Sequence, residues 1–160
     1  MNSTVRTAAA LLLSASLGGA GAQTAQAPAA GAVQAATPAA VAAGLREAGH
    51  RVTAKAAPGE APGLTVAAGE YEFDLWFSGC QGGTCARVTA SLGWELEGSR
   101  PDLAFLNDWN SDALTQAYTA EGAYFLDSTL TLRGGYTRAA LKAWMSDYLR
   151  DVADFEEALP

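Results

Sequence analysis

Two alternating segments on either side of a short cysteine-bounded loop constrain this chain more than anything else in it. In Tyr71-Glu72-Phe73-Asp74-Leu75-Trp76-Phe77-Ser78 the odd positions are apolar and the even ones mostly polar. In Ala86-Arg87-Val88-Thr89-Ala90-Ser91-Leu92 the parity is reversed. Period-two alternation puts each apolar set on one face of a strand. A turn at Gln81-Gly82-Gly83-Thr84, with Cys80 opposite Cys85, brings Phe77 to Val88, Leu75 to Ala90, Phe73 to Leu92 and Tyr71 to Trp94. All four pairs share a face, and a slip of one residue would turn one whole apolar set to the other side. Two independent patterns therefore agree on one antiparallel register.

Cys80 and Cys85 are the only two cysteines. Facing each other at the mouth of a hairpin, on its outer face, they have the spacing of a disulfide. Closing so short a loop contributes roughly 2 kcal/mol in the chain-entropy model. The rival readings are a reactive dithiol, which usually has two intervening residues, and a metal site, which needs about four ligands.

The rest of the chain reads as a mixture of helices and strands. Thr37-Pro38 caps a helix that ends at Gly49. Arg51 to Ala56 and Gly63 to Ala67 read as short strands separated by Pro-Gly pairs. Ser99 is placed to cap a helix from Pro101, with Leu103, Leu106, Trp109 and Asn110 along one side. Ala117 to Leu132 forms a second hairpin turning at Glu121-Gly122, with Tyr118 and Phe125 opposed on its outer face. Thr137 caps a final helix whose stripe is Leu141, Trp144, Met145, Tyr148, Leu149, Val152 and Phe155. The order α-β-β-β-β-α-β-β-α predicts an α+β fold, an antiparallel sheet of five or six strands packed against helices.

The N-terminal segment reads as an export signal. One positive charge, at Arg6, precedes an uncharged run around Leu11-Leu12-Leu13, and Ala20-Gly21-Ala22 has the small-x-small form of a cleavage site. Ala25-Gln26-Ala27 is a second candidate. The apolar run is shorter than the ~20 residues a membrane span needs. Residues 1–22 are thus expected as signal peptide, 23–37 as an Ala/Pro-rich flexible linker, and 38–160 as one domain, periplasmic or secreted. Cleavage at Ala22 leaves nine basic residues against 17 acidic, a charge of about −8. That balance argues against nucleic acid or an anionic membrane as partner.

Leu106-Asn107-Asp108-Trp109-Asn110, with the Cys80-to-Cys85 hairpin before it and Gly134-Gly135-Tyr136-Thr137 after it, resembles the YbjN family. In that family an N-x-W-N helix follows a strand; a Y-x-x-x-G hairpin, a further strand and G-G-hydrophobic-T opening the last helix come after it. Asn107, Trp109, Asn110, Tyr118, Gly122 and Gly134 to Thr137 meet that pattern, and the resemblance spans about residues 38–158. It implies a fold similar to type III secretion chaperones and a regulatory or chaperone-like role in binding proteins. The family's cytoplasmic members lack the export signal read here.

Catalytic chemistry finds little footing. His50, the single histidine, follows Gly49 at a helix end, and no G-x-S-x-G nucleophile signature accompanies it. Asp108, Asp112 and Asp127 are carboxylates that could approach one another. The expectation is therefore a non-enzymatic, exported module with no cofactor and no metal, binding a protein partner or a second copy. Its expected contact residues are Trp76, Tyr118 and Phe125 on the outer sheet face and Asn107, Trp109 and Asn110 on the helix. A small hydrolase using His50 and a structural envelope component are the alternatives.

Overall fold

The computed structural model describes residues 31–55, 61–96 and 100–160. The expected signal peptide, residues 1–22, lies outside these, as does Ser99. The fold is α+β: three helices and a six-stranded antiparallel sheet.

In chain order the elements are β1 (Val33–Gln34), α1 (Pro38–Glu47), β2 (Arg51–Lys55), β3 (Gly63–Ala68), β4 (Tyr71–Ser78) and β5 (Arg87–Glu95). Then come α2 (Leu103–Asp112), β6 (Gln116–Ala120), β7 (Ala123–Thr131), β8 (Tyr136–Thr137) and α3 (Arg138–Ala158). The sheet runs β2-β3-β4-β5-β7-β6. The chain leaves β5, passes through α2 to the far edge as β6, and turns back so that β7 fills the gap.

The hairpin register is the one its alternation dictates: Leu75 faces Ala90 and Phe77 faces Val88. Pairing covers Asp74 to Ser78 and does not extend to the expected Phe73–Leu92 and Tyr71–Trp94 pairs. Tyr71 and Trp94 instead both reach Glu156 of α3, at 3.0 and 3.4 Å. The second hairpin turns at Glu121-Gly122, with φ of 51° and 79°. Two positive φ values in a two-residue loop are the signature of a type I′ turn.

The apolar faces of the strands and the stripe of α3 make one core, in which Leu75, Val88, Leu126, Tyr148 and Phe155 are almost wholly buried. Phe155 sits among Trp94, Phe105 and Trp109, at centroid distances of 5.2, 5.2 and 4.9 Å. The Tyr148 hydroxyl, carried into that core, donates to Leu126 O at 3.1 Å, so its burial leaves no orphaned donor.

Three expectations need correcting. Asp102, not Ser99, caps α2: its carboxylate accepts from Ala104 N and Phe105 N at 2.9 and 3.1 Å, so Pro101 stays outside the helix. Leu103, expected on the apolar side of α2, is exposed, because α2 turns Phe105, Leu106 and Trp109 inward. The end of the expected linker is built into the fold. Val33 and Gln34 pair with Thr137 and Tyr136, and Ala36 O accepts from Cys85 N at 2.7 Å. Main-chain bonds need no large side chain, so an Ala-rich composition does not forbid them.

Both sheet edges carry side-chain covers. Asn110 of α2 donates to Ala117 O at 2.9 Å and accepts from Ala117 N at 2.7 Å, bonding the β6 edge as a neighbouring strand would. Arg46 of α1 donates to Val52 O at 2.7 Å on the opposite edge. Unpaired edge groups invite strand addition from other chains, and these contacts hinder it at the second residue of each edge strand.

Candidate functional site

The helices pack on one side of the sheet, and the alternation of β2 to β7 turns the polar positions to the other. That open face is ordered by the register. Thr53, Thr65, Asp74, Ser91, Asp127 and Gln116 form a row across all six strands. Lys55, Gly63, Trp76, Thr89 and Thr129 lie on one side of it. Glu72, Gly93, Phe125 and Tyr118 lie on the other. Small polar residues in the central row and aromatic ones beside it make a trench.

Glycines shape its walls. A first side-chain carbon at Gly93 would lie 2.7 Å from the Phe125 ring, so Phe125 occupies the place a side chain would take there. Tyr118 stacks on Phe125 at 5.4 Å, with 16° between the planes. Trp76 leans on Gly63 across β3 and is 40% exposed. Between Trp76 and Phe125 lies a cavity of ≈ 450 Å³ floored by Asp74 and Ser91.

Lys55, Glu72, Asp74 and Asp127 carry the charges of the trench. Lys55 pairs with Asp74, and its ammonium stands 4.7 Å from the Trp76 ring centroid. Thr65 Oγ1 donates to the other carboxylate oxygen of Asp74 at 2.9 Å. Burial raises the pKa of Asp127, against which the Tyr118 hydroxyl donates at 3.3 Å. Tyr118 is itself raised, first by burial and then by the charge of Asp127.

The remaining expected site residues are scattered. Trp109 and Asn110 are engaged within the fold: Trp109 Nε1 donates to Thr115 Oγ1 at 3.1 Å, and Thr115 donates to Asp151 at 3.1 Å. Asn107 is exposed on α2. Asp108 and Asp112 line a groove between α2 and α3 with Asp151 and Asp154, around Phe105 and Trp109. Asp127 belongs to the open sheet face, so the three aspartates do not meet. Among the described residues no group of three or more His, Cys, Asp or Glu is placed to hold a metal ion.

Cys80 and Cys85 form the disulfide, with Gln81 and Thr84 bridged across Gly82-Gly83. The sulphurs were expected on the outer face; Cys80 is exposed there, but Cys85 is only 4% exposed and belongs to the core. The chain bends inward past the turn to meet Ala36, which draws Cys85 under the N-terminal segment. A disulfide accords with an oxidising, exported compartment. No helix among the described residues is long and apolar enough to cross a membrane. His50 donates its backbone N–H to Leu45 O at 3.1 Å, closing the end of α1, and partial burial lowers its imidazole pKa.

Sequence reasoning missed Lys55, Asp74 and the two glycine notches. Gly63 and Gly93 were the available signal, since glycine within a strand often marks close approach by another group. No protein-family model matches the chain, no curated protein matches it in sequence, and no solved structure matches its fold.

Proposed function

We propose that this chain is an exported, non-enzymatic protein-binding module of the chaperone-like, regulatory kind, and that it takes its partner on the open face of the sheet. The reading is carried by one observation: a sheet that, among the described residues, is covered by helices on a single side, and whose other side holds Trp76 and the Tyr118–Phe125 stack around a polar trench. Aromatic side chains on an uncovered surface are the groups that anchor protein interfaces. The resemblance to the YbjN family points to the same class of role. Trp109 and Asn110 already spend their polar groups inside the fold, which favours the sheet over α2 as the contact surface.

Affinity capture with crosslinking from the exported fraction tests it, comparing the natural chain with Trp76→Ser and Phe125→Ser. Both variants are expected to stay folded and lose the partner, with a lowered thermal transition for Phe125→Ser, which gives up the packing on Gly93 and Tyr118. Unchanged capture by both, or a strictly monomeric chain that captures nothing, refutes the assignment.

A further inference from the structure

We propose that Trp76, Asp74 and Thr65 form a cage for an arginine side chain of a partner polypeptide, and that Lys55 fills this cage until the partner displaces it. The inference rests on the reading of the open sheet face as a protein-binding surface and names the chemistry of what binds there.

The chain carries its own stand-in for the ligand. The Lys55 ammonium lies 4.7 Å from the Trp76 ring centroid and is paired with Asp74. Thr65 Oγ1 holds the second Asp74 oxygen at 2.9 Å and so fixes the carboxylate plane. Trp76 is set by its contact with Gly63. An aromatic face and an oriented carboxylate thus converge on one cation at an open surface.

Lys55 is a weak occupant. Its side chain is 48% exposed and that of Asp74 27% exposed, a setting in which ion pairs are strongly screened. It is also the last residue of an edge strand, with a long stem to reorganise. An ammonium gains nothing from the planarity of either partner. A guanidinium is planar, stacks on an indole, forks onto a carboxylate with two parallel N–H bonds, and gives up its hydration more readily. Exchange of Lys55 for arginine therefore keeps the charge pairing and adds stacking and a second hydrogen bond.

The surroundings suit a polypeptide rather than a free cation. The cavity continues past Asp74 to Phe125, and Glu72, two residues along β4, adds a second carboxylate at its rim. Ser91 continues the central row beyond Asp74 and lines the same cavity, offering a hydroxyl to the rest of a bound segment. An excess of acidic over basic residues draws a basic segment toward the chain, and the attraction weakens with salt.

The test is titration of the mature chain, at low salt, with three short peptides. Each has glycine and serine around one arginine, one lysine or one citrulline, the neutral isostere of arginine. The arginine peptide is expected to bind about tenfold more tightly than the lysine peptide, and the citrulline peptide not measurably. Lys55→Ala, which removes the competitor, should tighten arginine binding about fivefold, the worth of one exposed pair and cation–π contact. Asp74→Asn and Trp76→Ser should each weaken it about tenfold, with unchanged thermal transitions showing that the fold is kept. Equal binding of the arginine and citrulline peptides, or Lys55→Ala weakening arginine binding, overturns the cage. If Trp76→Ser abolishes capture of a partner while Lys55→Ala leaves arginine-peptide affinity untouched, the cage fails and the sheet-face reading stands.

Discussion

Replacing Asn110 by alanine tests the account of the sheet edge most sharply. The substitution removes a bond of 2.9 Å to Ala117 O and one of 2.7 Å from Ala117 N. Ala117 is 3% exposed with Asn110 in place, but Asn110 lies at the surface, so water reaches both groups once its side chain is cut back. Each lost neutral hydrogen bond costs about 1 kcal/mol. Alanine is the better helix former and returns about 0.5 kcal/mol, leaving a net loss of about 1.5 kcal/mol. With a urea m value of about 2 kcal/mol/M, the unfolding midpoint should fall by about 0.75 M at constant slope. Asn110→Asp makes the test directional: a carboxylate still accepts from Ala117 N but repels Ala117 O, so its stability should lie below the natural chain. The alanine variant should also associate in a concentration-dependent way, because the β6 edge opens. A midpoint shift under 0.2 M, a stability change of less than about 0.4 kcal/mol, would show that the paired bonds do not hold the edge.

Four further outcomes follow from named positions. Glu121→Asn should stabilise the fold by about 0.5–1 kcal/mol in urea titrations, because Glu121 sits at φ 51° in a type I′ turn that asparagine tolerates better. Tyr136 is 5% exposed, and burial pushes its hydroxyl up to about 12. The stability linked to its proton is whole below about pH 10 and lost as the pH rises toward 12. Tyr136→Phe should make that alkaline loss shallower; it will not abolish it, since burial raises Tyr148 too. Asp127 is raised by burial, so its contribution is present below its ordinary value near 4 and lost as the pH rises through its folded value. Asp127→Asn should therefore stabilise at pH 7, with the gain gone by pH 3 in parallel thermal melts. Replacing Cys80 and Cys85 together by alanine should cost about 2 kcal/mol, read as a lower urea midpoint than that of the oxidised natural chain.

The fold was legible wherever local pattern decides it. Alternation in Tyr71–Ser78 and Ala86–Leu92 fixed the β4–β5 register, because an error of one residue turns the apolar set of one strand, Phe77 or Val88 with it, to the other face. Thr37 and Thr137 announced their helices, and each hydroxyl accepts from the N–H three residues on, at 3.1 and 3.0 Å. Insertion of β7 between β5 and β6 was not legible, because it depends on the path of α2 rather than on any repeat. Strand β1 escaped for a similar reason, since Val33-Gln34 bonds through its main chain. The aromatic residues of the open face could be assigned from parity. The ion pair beneath them could not, because Lys55 and Asp74 are 19 residues apart and meet only through β3.

The disulfide and the N-terminal segment are best understood as one closure. A reductant meets Cys80, which is exposed, and would have to expel a thiolate at Cys85, which is 4% exposed. Burial disfavours that anion, so the exposed sulphur is the poor route to cleavage and the bond acts as a brace rather than a switch. What it braces is specific. The Cys85 N–H holds Ala36 O at 2.7 Å, while Gly135 leaves room for Val33 and Gln34 where any first side-chain carbon would come within 2.4 Å of Val33. The hairpin tip, the Gly134-Gly135 turn and the entry to α1 are thus joined at one end of the sheet.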